Sequence, residues 1–577
     1  MCSFHERYKK QIEALAGQMR TEQLPPLTEE LFALFETTGN RLKYEEVYFK
    51  RRKFLAVFGM AACIFKRRAD VEKLSEVLLE VCEEECWALP AHVNRATDVD
   101  WRNTVDLFAS ETAQTLAEII TFVNGELPKE SRLPETVCER VRKEIECRIF
   151  QPFFESEPNY GCWECADHNW NAVCAGSIGS ACIYLMEEKE KERLDVCLKR
   201  LCHSLDYYLK GFREDGACME GIGYFTYGMT YFVGFAEQLL RYSGRNINLF
   251  ANEKLRKIAE FQQKNYFQSG QTISFSDGDM QARFRMGLTS YLAEQYDTVK
   301  IPEESLACDF ESDSCYRFMG LMRDYLWTKE ERKNRAELLE ERKAARHDVL
   351  SSAQWSICES ENGAGFAIKG GDNGEPHNHN DVGSFLYLLR GEQLITDLGA
   401  GEYTKEYFGA GRYEILCNSS LGHSVPIING KLQCAGKEYR ASYFFADGAG
   451  TTELEFAGAY GNQPGNKLVR KAEFSLKDGS LTITDSFTLD DKAESFTEQL
   501  VTQGEVKPAD GVIWMKGKKE SCKILLPKEA ERLRVIEEVH SNHEGVPETV
   551  YLVQWEIPLG PNKKNSTWIQ IIPLEKC

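Results

Sequence analysis

The chain has 577 residues, 42% of them hydrophobic and 11% aromatic, and a formal net charge of −20. That length exceeds what one hydrophobic core supports, so two or more domains are expected, with apolar residues enough to fill them. The acidic balance argues against general nucleic-acid binding, which wants a basic face, although a local basic cleft can still take an anionic substrate.

The opening segment Met1-Cys2-Ser3-Phe4-His5-Glu6-Arg7 runs straight into charged residues and lacks the apolar core of a signal peptide. No stretch approaches the ~20 apolar residues of a membrane span. A cytoplasmic protein without a membrane partner is therefore expected. Its 20 cysteines then read as reduced thiols rather than a disulfide framework. Cys162 and Cys165 form a CxxC with no second pair at zinc-finger spacing, and read as free thiols.

From about residue 27 to 300 the apolar residues repeat at helical spacing. Val105, Phe108, Ala109, Thr112 and Leu116 share one face, with Asp106, Glu111 and Glu118 elsewhere. Similar segments begin near Thr28, Tyr44, Ala69, Pro134, Trp170, Glu190, Tyr224, Ala251 and Arg283. Helices joined by short breaks, without a strict repeat, suit a toroid or a pairwise-stacked array better than a regular solenoid. Residues 328–347 are densely charged and expected to be helical. A junction there predicts a helical domain over 1–345 and a second domain over 346–577.

Beyond 350 the texture changes to alternation. Leu481, Ile483, Phe487 and Leu489 point one way, and Phe474 and Leu476 precede an Asp478-Gly479 turn. Further strands are expected at 365–369, 385–389, 393–396, 443–446, 512–515, 551–555 and 568–572. Many short strands with Gly, Asp and Asn turns predict an antiparallel sandwich.

Three of the ten histidines, His377, His379 and His423, fall in one window with Asp397. His377 and His379 are alternate neighbours just before the run 385–389, and Asp397 follows the run 393–396. Imidazole and carboxylate at the ends of paired strands can converge on one point, as metal and catalytic sites require.

These residues extend into longer motifs: His377-x-His379-x-Asp381-x-Gly383-Ser384-Phe385, Gly391, Asp397-x-Gly399 and Gly422-His423-Ser424. The helical half adds Asn169-Trp170 opening a helix, then Asp215-Gly216, Glu220, Tyr224 and Tyr227. In this order, over essentially the whole chain, they resemble the heparinase II/III-like polysaccharide lyases. The resemblance implies an N-terminal (α/α) toroid followed by a C-terminal antiparallel β-sandwich. It also implies a lyase that cleaves uronic-acid glycans by β-elimination, leaving 4,5-unsaturated uronate ends. Glycosaminoglycans of the heparan, hyaluronan or chondroitin type are the favoured substrates, and alginate-like oligouronides the alternative.

Such an enzyme must remove the weakly acidic C5 proton beside a carboxylate and expel the 4-linked oxygen. It needs donors that neutralise the carboxylate, and a base and an acid at the scissile bond. The resemblance makes Tyr224 the acid/base and Asn169 the group that holds the uronate carboxylate. It gives His377 charge neutralisation or a second acid/base role, and Glu220 the orienting of Tyr224. The residues by themselves also allow a packed helical aromatic at Tyr224, a helix N-cap at Asn169 and a surface carboxylate at Glu220. His379, Asp397 and His423 match the family's metal positions. Two imidazoles and a carboxylate suit a Zn²⁺ that fixes the His377 loop, the other reading being a hydrogen-bonded cluster without metal. Asp381 reads as a neighbour of that group or a turn residue.

Several relatives carry a histidine where this chain has Trp170, which stacks on a sugar face or packs at the helix start. Arg412 and Tyr413 are substrate-binding candidates; Arg102, Arg283, Arg285 and Tyr403 are further cleft candidates. An anionic oligo- or polysaccharide is the expected partner, and association of copies of the chain is left open. A zinc-dependent hydrolase and a non-catalytic glycan-binding protein are the competing classes.

Overall fold

The computed structural model describes residues 3–156, 163–186, 188–329, 344–461 and 465–575. It divides into a helical unit, Met1–Phe212 with Tyr224–Ala259 and Arg283–Arg332, and a sheet unit, Arg213–Gly223 with Glu260–Ala282 and Lys333–Cys577. Two segments from the helical half of the sequence thus belong to the sheet unit. Of the charged segment 328–347, residues 330–343 lie outside the described residues, as does Cys162. The segment's end, Arg346 and His347, opens a strand (Arg346–Leu350) instead of continuing a helix.

Several helices start at a side-chain cap or a proline. Thr28 accepts the Leu31 N–H ahead of Glu29–Thr38, Asp106 accepts the Ala109 N–H ahead of Leu107–Glu126, and Pro134 precedes Glu135–Ile145. One helix precedes all those read from periodicity. Phe4–Met19 buries Phe4, Tyr8, Ile12, Leu15, Ala16 and Met19 along one face, and its charged residues occupy the other. No described helix is long and apolar enough to cross a membrane.

The helices Asn169–Leu185 and Ile222–Tyr242 meet at glycines. A Cβ on Gly176 would stand 2.6 Å from the Tyr231 carbonyl oxygen, and one on Gly179 would stand 2.4 Å from the Phe235 ring. Residue number rises together along both contacts, so the helices run parallel. Asn169 and Tyr224 each lie about two turns before the first contact, at the same end of the pair.

Glu111, on Leu107–Glu126, faces the same interior. It accepts the Tyr227 hydroxyl, and the Arg317 guanidinium lies 4.0 Å over the Tyr227 ring. Burial pushes the Glu111 carboxyl up to about 7, only partly opposed by the Arg317 charge and the Tyr227 hydrogen bond. A raised carboxyl means that the native state holds this proton more tightly than the unfolded chain. The contribution of Glu111 to stability is therefore fully present below the unfolded value near 4.5, declines as pH rises to about 7, and is level beyond. Glu111→Gln is expected to remove a decline on the order of 3 kcal/mol across that window. Denaturation at a series of pH values checks this, and an equal slope in both proteins refutes it.

The sheet unit is antiparallel throughout its described ladders. A five-stranded meander runs through Arg346–Leu350, Trp355–Glu359, Ala364–Lys369, Phe385–Leu389 and Glu392–Ile395. An eight-stranded sheet extends from Glu505–Ala509 at one edge to Tyr443–Ala446 at the other, with Lys564–Pro573, Leu481–Thr488 and Lys467–Phe474 at its centre. A third sheet pairs Glu531–Ser541, Pro547–Glu556, Phe496–Thr502 and Ile427–Ile428. Inward residues from all three, including Phe366, Phe385, Leu468, Ile483, Phe487, Phe496 and Trp555, form one continuous core. The Asp478-Gly479 turn sits between two central strands, with Gly479 at φ +70° as such a turn requires.

Candidate active site

In the helical unit, Asn169 is the first residue of its helix, after His168 in the N-cap position. It therefore does not cap. Its side chain is buried, and its Oδ1 has no hydrogen-bond partner among the described residues. Trp170 packs edge-on against His92, ring centroids 4.8 Å apart, and His92 Nδ1 lies 2.7 Å from Asp106 Oδ2. Tyr224 is half-buried near the start of its helix. Of the tyrosines at helical spacing beyond it, Tyr227 donates to Glu111 and Tyr231 is fully buried.

In the sheet unit the site is organised by a residue that the sequence analysis did not single out. Asp277 accepts His377 Nδ1 at 2.7 Å and the Tyr403 hydroxyl at 2.7 Å on Oδ2. On Oδ1 it accepts His379 Nε2 at 3.1 Å and the Tyr407 hydroxyl. Burial alone would raise its pKa, but the hydrogen bonds and charges of the two histidines hold it well below the usual carboxylate range. His377 stands at φ +53°, a left-handed backbone uncommon for a non-glycine residue. Its Nε2 lies 3.6 Å from Glu220 Oε2. Burial lowers the His377 pKa, but the Asp277 hydrogen bond and charge, together with the Glu220 charge, outweigh it and the net direction is up.

His379, Asp381 and His423 bring one donor atom each to within 4.8 Å of one another, all buried. Asp397, the carboxylate singled out with these histidines from sequence, stands beside them, its Oδ2 3.4 Å from His423 Nδ1. The far nitrogen of each imidazole is already committed: His379 Nε2 to Asp277, and His423 Nε2 to the Cys417 carbonyl at 2.8 Å. That leaves Nδ1 of both histidines, both Asp381 oxygens and Asp397 Oδ2 buried without a hydrogen bond among the described residues. So many orphaned acceptors in one place are costly unless a cation joins them. One cation is built in: Lys369 Nζ is 2.8 Å from Asp381 Oδ1, in ion-pair contact without a directed hydrogen bond.

Arg412 donates to the carbonyls of Tyr407 and Asn378 at 2.8 and 2.9 Å, and the Tyr413 hydroxyl donates to Asn378 Oδ1 at 3.0 Å. Both brace the loop that carries His377. Arg470, buried under the sheet and bidentate to Asp485, donates to the carbonyls of Gly383 and Ser424 at 2.8 Å each. It thereby ties the segment after Asp381 to the residue after His423. Arg285 is buried in ion pairs with Asp313 and Asp324, Arg102 pairs with Glu85, and Arg283 donates to the Ala307 carbonyl.

No protein-family model and no curated protein matches the chain. Solved structures do match its fold. A heparan sulfate lyase HepC mutant from Pedobacter heparinus aligns at TM-score 0.62 with 12% identity, over 98% of this chain and 83% of that one. A heparinase III aligns at TM-score 0.64 with 14% identity, over 98% and 84%. A Paenibacillus xanthan lyase aligns at TM-score 0.52 with 10% identity, over 99% and 57%. The chain shares their architecture, a helical toroid domain followed by an antiparallel β-sandwich.

Proposed function

We propose that this chain is a polysaccharide lyase that cleaves uronic-acid-containing glycans by β-elimination. The observation that carries the reading is His377, held by a buried carboxylate in a strained loop on a fold shared with heparan sulfate lyases. Glycosaminoglycans of the heparan, hyaluronan or chondroitin type are the proposed substrates, with alginate-like oligouronides as the alternative. Short oligosaccharides would suit a cytoplasmic enzyme better than long polymers.

In this reading the Asn169 amide and the protonated His377 ring, with its second N–H on Nε2, offset the charge that builds on the uronate carboxylate as C5 loses its proton. Tyr224, acting as its phenolate, takes that proton, electrons from the C5–H bond form the C4–C5 double bond, and the bond to the 4-linked oxygen breaks. The leaving oxygen takes up a proton from Tyr224, which ends the cycle as it began. Glu220 acts on His377 through its position beside Nε2. Arg412 and Tyr413 act by holding the loop, and Trp170 by shaping the wall beside Asn169.

His379, Asp381 and His423, with Asp397 beside them, would hold a divalent cation, and two imidazoles with carboxylates favour Zn²⁺. Bound there it supplies a fixed positive charge among buried carboxylates.

The test is ultraviolet absorbance of the conjugated product across heparan sulfate, heparin, hyaluronan, chondroitin sulfates, alginate and their short oligomers. Rising absorbance with one of them is the expected result and names the glycan class. Fragments that form without absorbance overturn β-elimination in favour of hydrolysis.

A further inference from the structure

We propose that Asp277 is a positioning residue that sets His377 and His379 in opposite tautomers with a single carboxylate. The role in turnover rests on the lyase reading; the tautomers do not.

An ionised carboxylate only accepts, and its two oxygens offer about four lone-pair sites. Asp277 receives two donors on each oxygen, an imidazole and a phenol on either side. Every site is filled, so Asp277 has no capacity left for substrate or for proton exchange with it. What it can do is decide which nitrogen of each imidazole carries hydrogen. His377 must present Nδ1–H to it, which turns Nε2 outward toward the Glu220 side. His379 must present Nε2–H, which turns the bare Nδ1 toward Asp381 and His423. Two histidines with one residue between them are thus wired in reverse, one for the glycan and one for a cation.

The fold invests in holding this carboxylate still. A Cβ on Gly399 would stand 2.2 Å from the Gly278 carbonyl oxygen, and one on Gly221 would stand 3.1 Å from the Gly278 Cα. The Asp277 turn is pressed between the backbones that carry Glu220 and Asp397, and on the Gly399 side at a spacing that only glycine permits. Ser274 Oγ donates to the Asp397 carbonyl at 3.0 Å, and Ser276 is held at φ +59°.

The test uses the intact protein with ¹⁵N-labelled histidine, at a pH where the imidazoles are neutral. Long-range ¹H–¹⁵N spectra, assigned with His377→Gln and His379→Gln, should show an Nδ1–H tautomer at His377 and Nε2–H at His379. The same tautomer at both positions overturns the proposal, whatever the activity. Asp277→Asn places a donor where only an acceptor fits, so one tautomer should be lost and kcat should fall about 100-fold with KM nearly unchanged. Tyr403→Phe and Tyr407→Phe keep the carboxylate and both tautomers, and answer the question of folding. A folded Asp277→Asn with wild-type kcat overturns the positioning role. Opposite tautomers in a wild-type protein that yields no unsaturated product refute the lyase reading and the role in turnover, and leave the tautomers standing.

Discussion

Tyr224→Phe is expected to lower kcat by about 10³-fold and to leave the melting temperature unchanged. The substitution removes one oxygen and keeps the ring, so the close helix contact at Gly176 and Gly179 is untouched. Tyr227 provides the control, because it lies one turn away with its hydroxyl given to Glu111. Tyr227→Phe should alter stability more than turnover. Equal activity of folded Tyr224→Phe and wild type on any glycan that gives the unsaturated product would remove Tyr224 from the mechanism. Turnover that depends on metal while Tyr224 is expendable would favour a hydrolase instead.

His423→Ala is expected to abolish stoichiometric zinc binding and to take with it the stability that zinc confers. His423 is a cleaner probe than His379, since His379 also donates to Asp277. At free zinc a thousandfold above its Kd, binding to the native state alone contributes about 4 kcal/mol. A chelator should therefore lower the melting temperature of wild type and leave that of His423→Ala where it is. A variant that retains metal and melts like wild type would show that His423 is no ligand.

Much of the fold could be read from periodicity. The strands Tyr443–Ala446 and Phe385–Leu389 lie where alternation or short apolar runs place them, and helices begin just after Thr28 and Pro134, where the apolar periodicity starts. Phe4–Met19 is masked in the sequence because the charges that exclude a signal peptide are also the solvent face of an amphipathic helix. The histidines of the site stand out because histidine is rare in this chain. Asp277 does not stand out: in Ser276-Asp277-Gly278-Asp279 it looks like any acidic turn, and only tertiary structure reveals four donors converging on it. Lys369 was equally hidden, since a lysine ending a strand reads as solvated until the strand proves buried along its length. Nor can spacing choose between Asp381 and Asp397, since both turn inward and are fully buried beside His423.

The membership of segment 260–282 in the sheet unit bears on how this protein can be dissected. A fragment starting at residue 346 would contain His377, His379 and His423 and yet lack the acceptor that His377 and His379 share. His377, His379, Tyr403 and Tyr407 would each lose a partner, and for His379 and Tyr407, which are fully buried, the cost is about 1–3 kcal/mol apiece. The β half is consequently not a portable module. Exchanging it between relatives, or expressing it alone, would carry over the residues without the group that aims them.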